Sequence, residues 1–469
     1  MQQARSAGNA AAKPDGKWRF FGSWRVRPEF WDWFPSTAAD NEYLYVGSTL
    51  RIGFRRQTTR DETVLELEQP TLINLPTQAI APPPQGQLGL GAAYRAANGG
   101  QVASAFLKQG FVRFRGWAGK SNSLKLGRFE FADGAELPST DPTLSYLKRE
   151  RVSQRLIGPF GFTHVGRSLD GFQFSSDTPG RNSTFLFAFP TRGVFSLRGM
   201  DTLTDVRVVY LATSQERVQK QSASDLRLFG IYYQDSRDQA IKTDTRPLPV
   251  RAADRLGIDI LTFGGHYLRT MSPGKGKVDL MIWGAGQFGR WGALKHGGTA
   301  YAAEVGYQPQ DSGWKPWLRL GYYNASGDGN PANNQHGAFF PIMPTPRIYA
   351  RFPFFSENNL QDAFFQALLR PNPRLTVRLD AHNLTLAEKN DFWYVGGGAF
   401  ENNSFGYIGR PTAGFGHLAN LFDLSIDYQL HSQTTLTLYM GYAQGGNAMR
   451  TIYGGRDAAF GYVEMMHRF

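Results

Sequence analysis

The chain has no cysteine, no long apolar run and no familiar catalytic motif, and each absence narrows what it can be. Without cysteine there is no disulfide framework, no thiolate metal site and no cysteine nucleophile, a composition that suits the bacterial envelope. No stretch approaches the roughly 18 to 20 uninterrupted apolar residues of a membrane helix, which leaves a soluble chain or a barrel. The first residues, MQQARSAGNAAAKPDG, lack the apolar core of a signal peptide. They are read as a disordered segment or cloning remnant over residues 1–16, ahead of a single barrel over residues 17–469. The eight histidines have no zinc-type spacing, neither GxSxG nor HExxH occurs, and no cofactor or metal is expected. Gly284, Gly286 and Gly289 in GAGQFG match the dinucleotide fingerprint formally. They sit in an alternating strand with no helix to follow, so small residues in a barrel wall are the better account.

What is present points the other way. Aromatics make up 14% of the chain, yet mean hydropathy is only -0.38, so large rings coexist with much polar surface. Membrane barrels have that profile because half of each strand faces water. Net charge is +12, a surplus that favours polyanions.

Period-two alternation runs through most of the sequence. In the first candidate strand, Lys17 to Trp33, one face carries Trp18, Phe20, Trp24, Val26 and Phe30, and the other Arg19, Ser23, Arg25, Arg27 and Glu29. The last stretch, Asp457 to Phe469, alternates in the same way and must pair, so the spacing predicts closure of the last strand on the first. About eighteen strands are expected in an all-β, antiparallel transmembrane barrel, with sixteen as the alternative count. Strand three meets Pro70 early, and the strands near Ser183 and Thr204 are the weakest. Connections sort by parity. Even-numbered ones are mostly short and turn-rich, such as TPGR at Thr178 to Arg181 and RPNP at Arg370 to Pro373. The long ones, including Ala132 to Ser168, Ser326 to Asn359 and Ala387 to His417, are all odd. This predicts short periplasmic turns, long extracellular loops and both termini in the periplasm. The last two loops are the expected gates or plugs.

Alternation also names a lumen face. Arg19, Arg25, Arg27, Arg51, Arg55, Arg113, Arg115, Arg319 and Arg378 are expected to point inward, with Glu66, Glu68, Asp279, Glu304, Asp380, Asp423 and Asp427. Guanidinium groups fork onto carboxylates, so an arginine ladder can hand an acidic polymer from one residue to the next, while carboxylates keep each site weak. A general porin with internally paired wall charges explains the same set. Catalysis by Asp380 and His382, or by Asp423 and Asp427, is a further alternative, that of an all-β enzyme acting on acidic glycans. The latter pair lies about 13 Å apart along one strand, too far for ordinary paired-carboxylate hydrolysis. The segment near Asp328 offers oxygen ligands for Ca²⁺, although ordinary turn chemistry accounts for it.

Four segments carry a family likeness. FVRFRGWAGKSNSLKLG, Phe111 to Gly127 and on into Arg128, GRSLDGF at Gly166 to Phe172, GYYNASGDGNP at Gly321 to Pro331 followed by FFPIMPT at Phe339 to Thr345, and LFDLSIDYQL then LYMGYAQGG near the C-terminus together resemble the bacterial alginate export family. His467 departs from the aromatic common three residues from the end, and Leu169 from a usual phenylalanine. The resemblance implies an eighteen-stranded barrel with an arginine-lined, anion-selective pore. It adds Arg128 to the lumen and makes Arg167 and Asp170 a structural pair at the loop mouth. The partners it implies are outer-membrane lipid, an acidic polysaccharide or organic anions, and a periplasmic polymer-feeding protein, with no nucleic acid. The function expected is passive export through the bacterial outer membrane without covalent catalysis.

Overall fold

The computed structural model describes residues 14–310, 312–345, 350–395 and 405–469. Most of the N-terminal segment, and parts of both expected gates, lie outside the described residues. Eighteen long antiparallel strands close into one barrel: β1 (Trp18–Asp32), β2 (Glu42–Gln57), β3 (Asp61–Ile73), β4 (Phe106–Arg115), β5 (Asn122–Phe129), β6 (Leu169–Thr178), β7 (Arg181–Pro190), β8 (Val206–Val218), β9 (Ser222–Asp235), β10 (Ile258–Met271), β11 (Gly276–Trp291), β12 (Leu294–Pro309), β13 (Trp317–Ala325), β14 (Leu360–Asn372), β15 (Leu375–Thr385), β16 (His417–His431), β17 (Thr434–Gly445) and β18 (Asp457–Arg468). The last pairs with the first from Ser23↔Arg468 to Asp32↔Ala459, so the sheet has no free edge in the membrane, where unpaired backbone groups would be costly.

The alternation is explained by the two solvents. Outward side chains such as Trp18, Phe20, Phe54, Leu211, Phe288 and Val463 are about half exposed, as a lipid-facing belt requires, while Arg27, Glu29, Glu68 and Glu304 are almost wholly buried inside. Strand three continues through Pro70 to Ile73. The proline carbonyl accepts from Ser104 on the β4 side, and the ladder to β4 ends at Glu68. The missing N–H therefore breaks no ladder bond. The strands around Ser183 and Thr204 are both present and paired on each side.

One end of the barrel has only tight connections, 58–60, 116–121, 179–180, 219–221, 272–275, 310–316, 373–374 and 432–433; the other has 74–105, 130–168, 236–257, 326–359 and 386–416, with 292–293 the one very short member. Segments 74–105 and 130–168 bury much of their length inside the barrel. Segment 74–105 carries a helix, Leu90–Asn98, that buries Leu90, Ala92 and Tyr94. Segment 130–168 carries Pro142–Leu147 followed by a π-turn, Lys148–Val152. Interior aromatics join them to the wall: Tyr94 lies edge-on to Tyr45 and Phe162 edge-on to Phe460, and Phe352 of segment 326–359 lies edge-on to Trp31, which stacks on Phe460 at 3.9 Å between centroids.

Candidate functional site

The lumen wall is built of ion pairs set by strand register. Adjacent strands place Arg51 opposite Glu68, 2.6 Å apart, with Glu130 at 3.1 Å on the other side of the guanidinium. Glu66 accepts from Gln109 at 2.7 Å. Arg27 is held between Glu29 and Glu464 under the Phe162 ring. Across the barrel, Arg319 bridges Asp279 at 2.5 Å and Glu304 at 3.3 Å, and Arg378 holds Asp380 at 2.5 Å. Asp423 accepts from Tyr439 and from the Arg351 backbone N–H, each at 2.6 Å, while Asp427 lies 3.6 Å from the Arg351 side chain. His382 is taken up by Asp362 at 3.0 Å. Buried charge is tolerated here because most members have a partner of opposite sign, and Glu66 and Asp423 accept hydrogen bonds from neutral donors.

Segment 130–168 crosses this space and docks on two opposite walls. On one side Arg25 donates to the carbonyls of Gly161 at 2.6 Å and Thr163 at 2.5 Å. The His164 ring lies against Thr49 and 3.4 Å from Glu29, in a space that the absent side chain of Gly47 leaves open. Burial and the neighbouring Arg27 and Arg25 hold this imidazole down to about 3, so it is neutral and donates to Glu29. On the other side the π-turn aims Lys148 at Asp225, 2.6 Å away. It also sets Arg151 bidentate on Glu304 at 2.8 to 3.1 Å. Arg155 approaches Glu304 at 3.7 Å. Asp133, raised to about 6 by burial, accepts from the N–H groups of Leu156 and Ile157 and faces Arg227. Segment 326–359 then pairs with the crossing chain, Met343 exchanging backbone hydrogen bonds with Leu156 and Gly158. The crossing segment and the part of 326–359 paired with it form a plug inside the lumen.

Toward the short-turn end the balance of charge changes. Arg55, Arg113 and Arg115 share a single carboxylate, Glu62, at 3.5, 3.4 and 3.0 Å. Lys125 lies beside them over the Phe111 and Phe129 rings. Arg55, Arg113 and Arg115 are each about a third exposed, unlike the arginines of the middle. A cavity of about 130 Å³ opens here, lined by two cations, Arg113 and Lys125, two carboxylates, Glu136 and Asp177, and polar side chains such as Gln173 and Asn182. Arg19 stands at the same end, exposed and 3.0 Å from Asp15.

Two placements differ from expectation. Arg128 does not face the lumen. It lies opposite Asp170 in the β5–β6 register and forks onto it with two bonds of 2.7 Å. It also reaches the Met200 carbonyl and Thr202 in the connection 191–205, so it clasps a loop to the wall. The partner of Asp170 is therefore Arg128, its cross-strand neighbour, rather than Arg167. Arg167 turns away and lies over Phe160 near Tyr233 and Tyr407. Sequence reasoning also missed Lys108, Glu130 and the plug cations Lys148, Arg151, Arg155 and Arg351. Lys108 escapes alternation because a bulge between Glu66 and Leu67 pairing turns it inward beside Gln109, onto Glu68 and Glu130. The run KRERVSQR from Lys148 carried a signal, but charge runs in loops ordinarily mean solvent.

The sequence matches the alginate export family over residues 149–460. No curated protein matches the chain. Among solved structures it resembles OccK9 (OpdG) of Pseudomonas aeruginosa at 12% identity and a TM-score of 0.55, covering 98% of this chain and 100% of that one. It also resembles OccAB1 of Acinetobacter baumannii at 10% identity and a TM-score of 0.56, with 96% of each chain covered. Pseudomonas aeruginosa OpdK, solved with vanillate, is 8% identical with a TM-score of 0.55, covering 96% of this chain and 98% of that one. At such identities the likeness concerns the fold, which is that of outer-membrane porins. With a closed eighteen-strand barrel and a family match across most of it, the chain belongs to the alginate export family and is a porin-like β-barrel channel of the bacterial outer membrane.

Proposed function

We propose that the channel prefers anions and passively exports an acidic polysaccharide such as alginate. The observation that carries this reading is the short-turn mouth, where Arg55, Arg113 and Arg115 share Glu62 and Lys125 lies over the Phe111 and Phe129 rings beside them. Three arginines outnumber Glu62 here, while the other two carboxylates of the cavity are engaged elsewhere, Glu136 by Arg227 and Asp177 by Asn182, so the partly desolvated mouth keeps a positive bias that concentrates anions. That mouth faces the periplasm when the long loops face outward, so a polyuronate delivered there by a periplasmic partner meets the basic groups first. Deeper arginines are already engaged by carboxylates and plug carbonyls. They become available to a polymer only as the plug moves aside, and the same carboxylates then keep each contact weak. Family membership supports the substrate class.

A second reading, a porin for small organic anions, is favoured by the size of the cavity beside Arg113 and Lys125 and by the neighbour solved with vanillate. Reversal potential across a planar bilayer in a salt gradient separates the possibilities. Anion preference, with block by polyuronate oligomers, supports export. Anion preference relieved only by small organic acids supports the second reading. Exchanging Arg113, Arg115 and Lys125 for Gln should cut anion preference several-fold. Equal permeation of both ions in the unmodified protein would overturn both readings.

A further inference from the structure

The outer wall is unevenly charged at its extracellular rim. In register across five consecutive strands, β8 to β12, the outward residue just below the loops is Arg207, Gln234, Asp259, Arg290 and Lys295. Arg207, Asp259 and Lys295 alternate with inward neighbours that are buried, Val206 and Val208 in β8, Ile258 and Ile260 in β10, Leu294 and His296 in β12. On the same face and nearer mid-membrane stand Leu211, Leu228, Phe263, Phe288 and Tyr301, each about half exposed. The polar row therefore caps the apolar belt, at the level of lipid headgroups.

Within the row, three cations face one carboxylate. Asp259 is fully engaged, accepting from Tyr232 at 2.9 Å and from Arg290 at 2.5 Å. Among the described residues no carboxylate lies within 4.0 Å of Arg207 or Lys295. Arg290 and Lys295 stand directly opposite each other across β11 and β12, an arrangement that is unfavourable for like charges unless an anion sits between them. The rest of the rim is built differently. Asn324, Gln361 and Thr385 join side chain to side chain through amide hydrogen bonds of 3.2 Å, and Asp32 faces Glu42 across β1 and β2. The cationic sector spans the arc from β8 to β12.

We infer that this arc binds the phosphorylated headgroup of an outer-leaflet glycolipid, one phosphate between Arg290 and Lys295 and a second at Arg207. Three strand spacings separate Arg207 from Arg290, about 14 Å, a span that a disaccharide bearing a phosphate at each end bridges. Its acyl chains lie along the belt of Leu211, Leu228, Phe263 and Phe288, where Phe263 and Phe288 stack at 5.9 Å. The inference concerns the outside of the barrel and does not depend on what passes through it.

The test is native mass spectrometry of the detergent-solubilised full chain titrated with bis-phosphorylated lipid A, and with the same lipid after removal of its phosphates. Each basic residue exchanged for Gln should weaken binding of the phosphorylated lipid about fivefold, and the triple variant R207Q/R290Q/K295Q about a hundredfold. The variant D32N/E42Q should bind like the unmodified protein. If the triple variant does not fold, R207Q and K295Q singly carry the test. Binding unchanged within twofold in these variants, or equal binding of phosphorylated and dephosphorylated lipid, would overturn the inference.

Discussion

The plug is latched to the wall at Glu304, and the sharpest perturbation of that latch is Arg151→Gln. Arg151 and Glu304 are both almost completely buried and joined by three contacts of 2.8 to 3.1 Å. Removing one partner of such a pair costs about 3 to 5 kcal/mol. Arg319 remains 3.3 Å from the same carboxylate and Arg155 3.7 Å, so the lower end, about 3 kcal/mol, applies. In a plug-released state Arg151 is hydrated and loses nothing by the substitution, so the whole difference falls on the closed state. About 3 kcal/mol changes the closed-to-open ratio by roughly 150-fold. Single-channel recording in planar bilayers reads this directly as open probability at fixed voltage and neutral pH. The double variant with Glu304→Gln should fall short of additivity, because the two substitutions remove one shared interaction. An open probability within threefold of the unmodified channel would refute the assignment of Arg151 as a latch.

Three further outcomes follow from named contacts. A Cβ at Gly47 would collide with the His164 imidazole, so Gly47→Ala should expel that part of the plug at a cost of about 1 to 3 kcal/mol, seen as raised conductance with unchanged barrel content by circular dichroism. Glu357, in segment 326–359, is pushed up to about 7 by burial. A raised carboxylate favours the packed plug most fully below its ordinary value of 4.5 and loses that contribution as pH rises through about 7. Open probability should therefore increase between pH 5 and 8, with Glu357→Gln flattening the profile; the opposite slope would refute the burial argument. Arg128→Ala removes the clasp on connection 191–205 and, by loosening it, should speed tryptic cleavage at Arg192 and Arg198 in intact outer membranes, with cleavage no faster than in the unmodified protein counting against it.

Strand content was legible because a barrel wall separates two solvents: Trp18, Phe20 and Trp24 had to face lipid while Arg25 and Arg27 had to face inward, and no tertiary contact overrides that requirement. Parity of loop length likewise followed from a chain that crosses one membrane repeatedly. Failures cluster where a local irregularity or a long-range partner intervened. The bulge at Lys108 inverted a face without altering composition. Arg167 and Asp170 sit close in sequence, but the sheet had already set Arg128 opposite Asp170. The Lys148 to Arg155 run reads as solvated surface until the wall carboxylates Asp225 and Glu304 are brought to it.

By itself, then, the sequence determined the barrel, its closure and the inward bias of its arginines, because alternation is a local property that each strand states alone. Only the tertiary structure decided which of those arginines remain available. Arg25, Arg27, Arg51 and Arg319 are spent on plug carbonyls and buried carboxylates contributed by residues up to hundreds of positions away, whereas Arg113 and Arg115 share one carboxylate and keep their field. Whether a charge acts on a solute depends on the local balance of counter-ions. That balance is a sum over neighbours in space, which no period in the chain records.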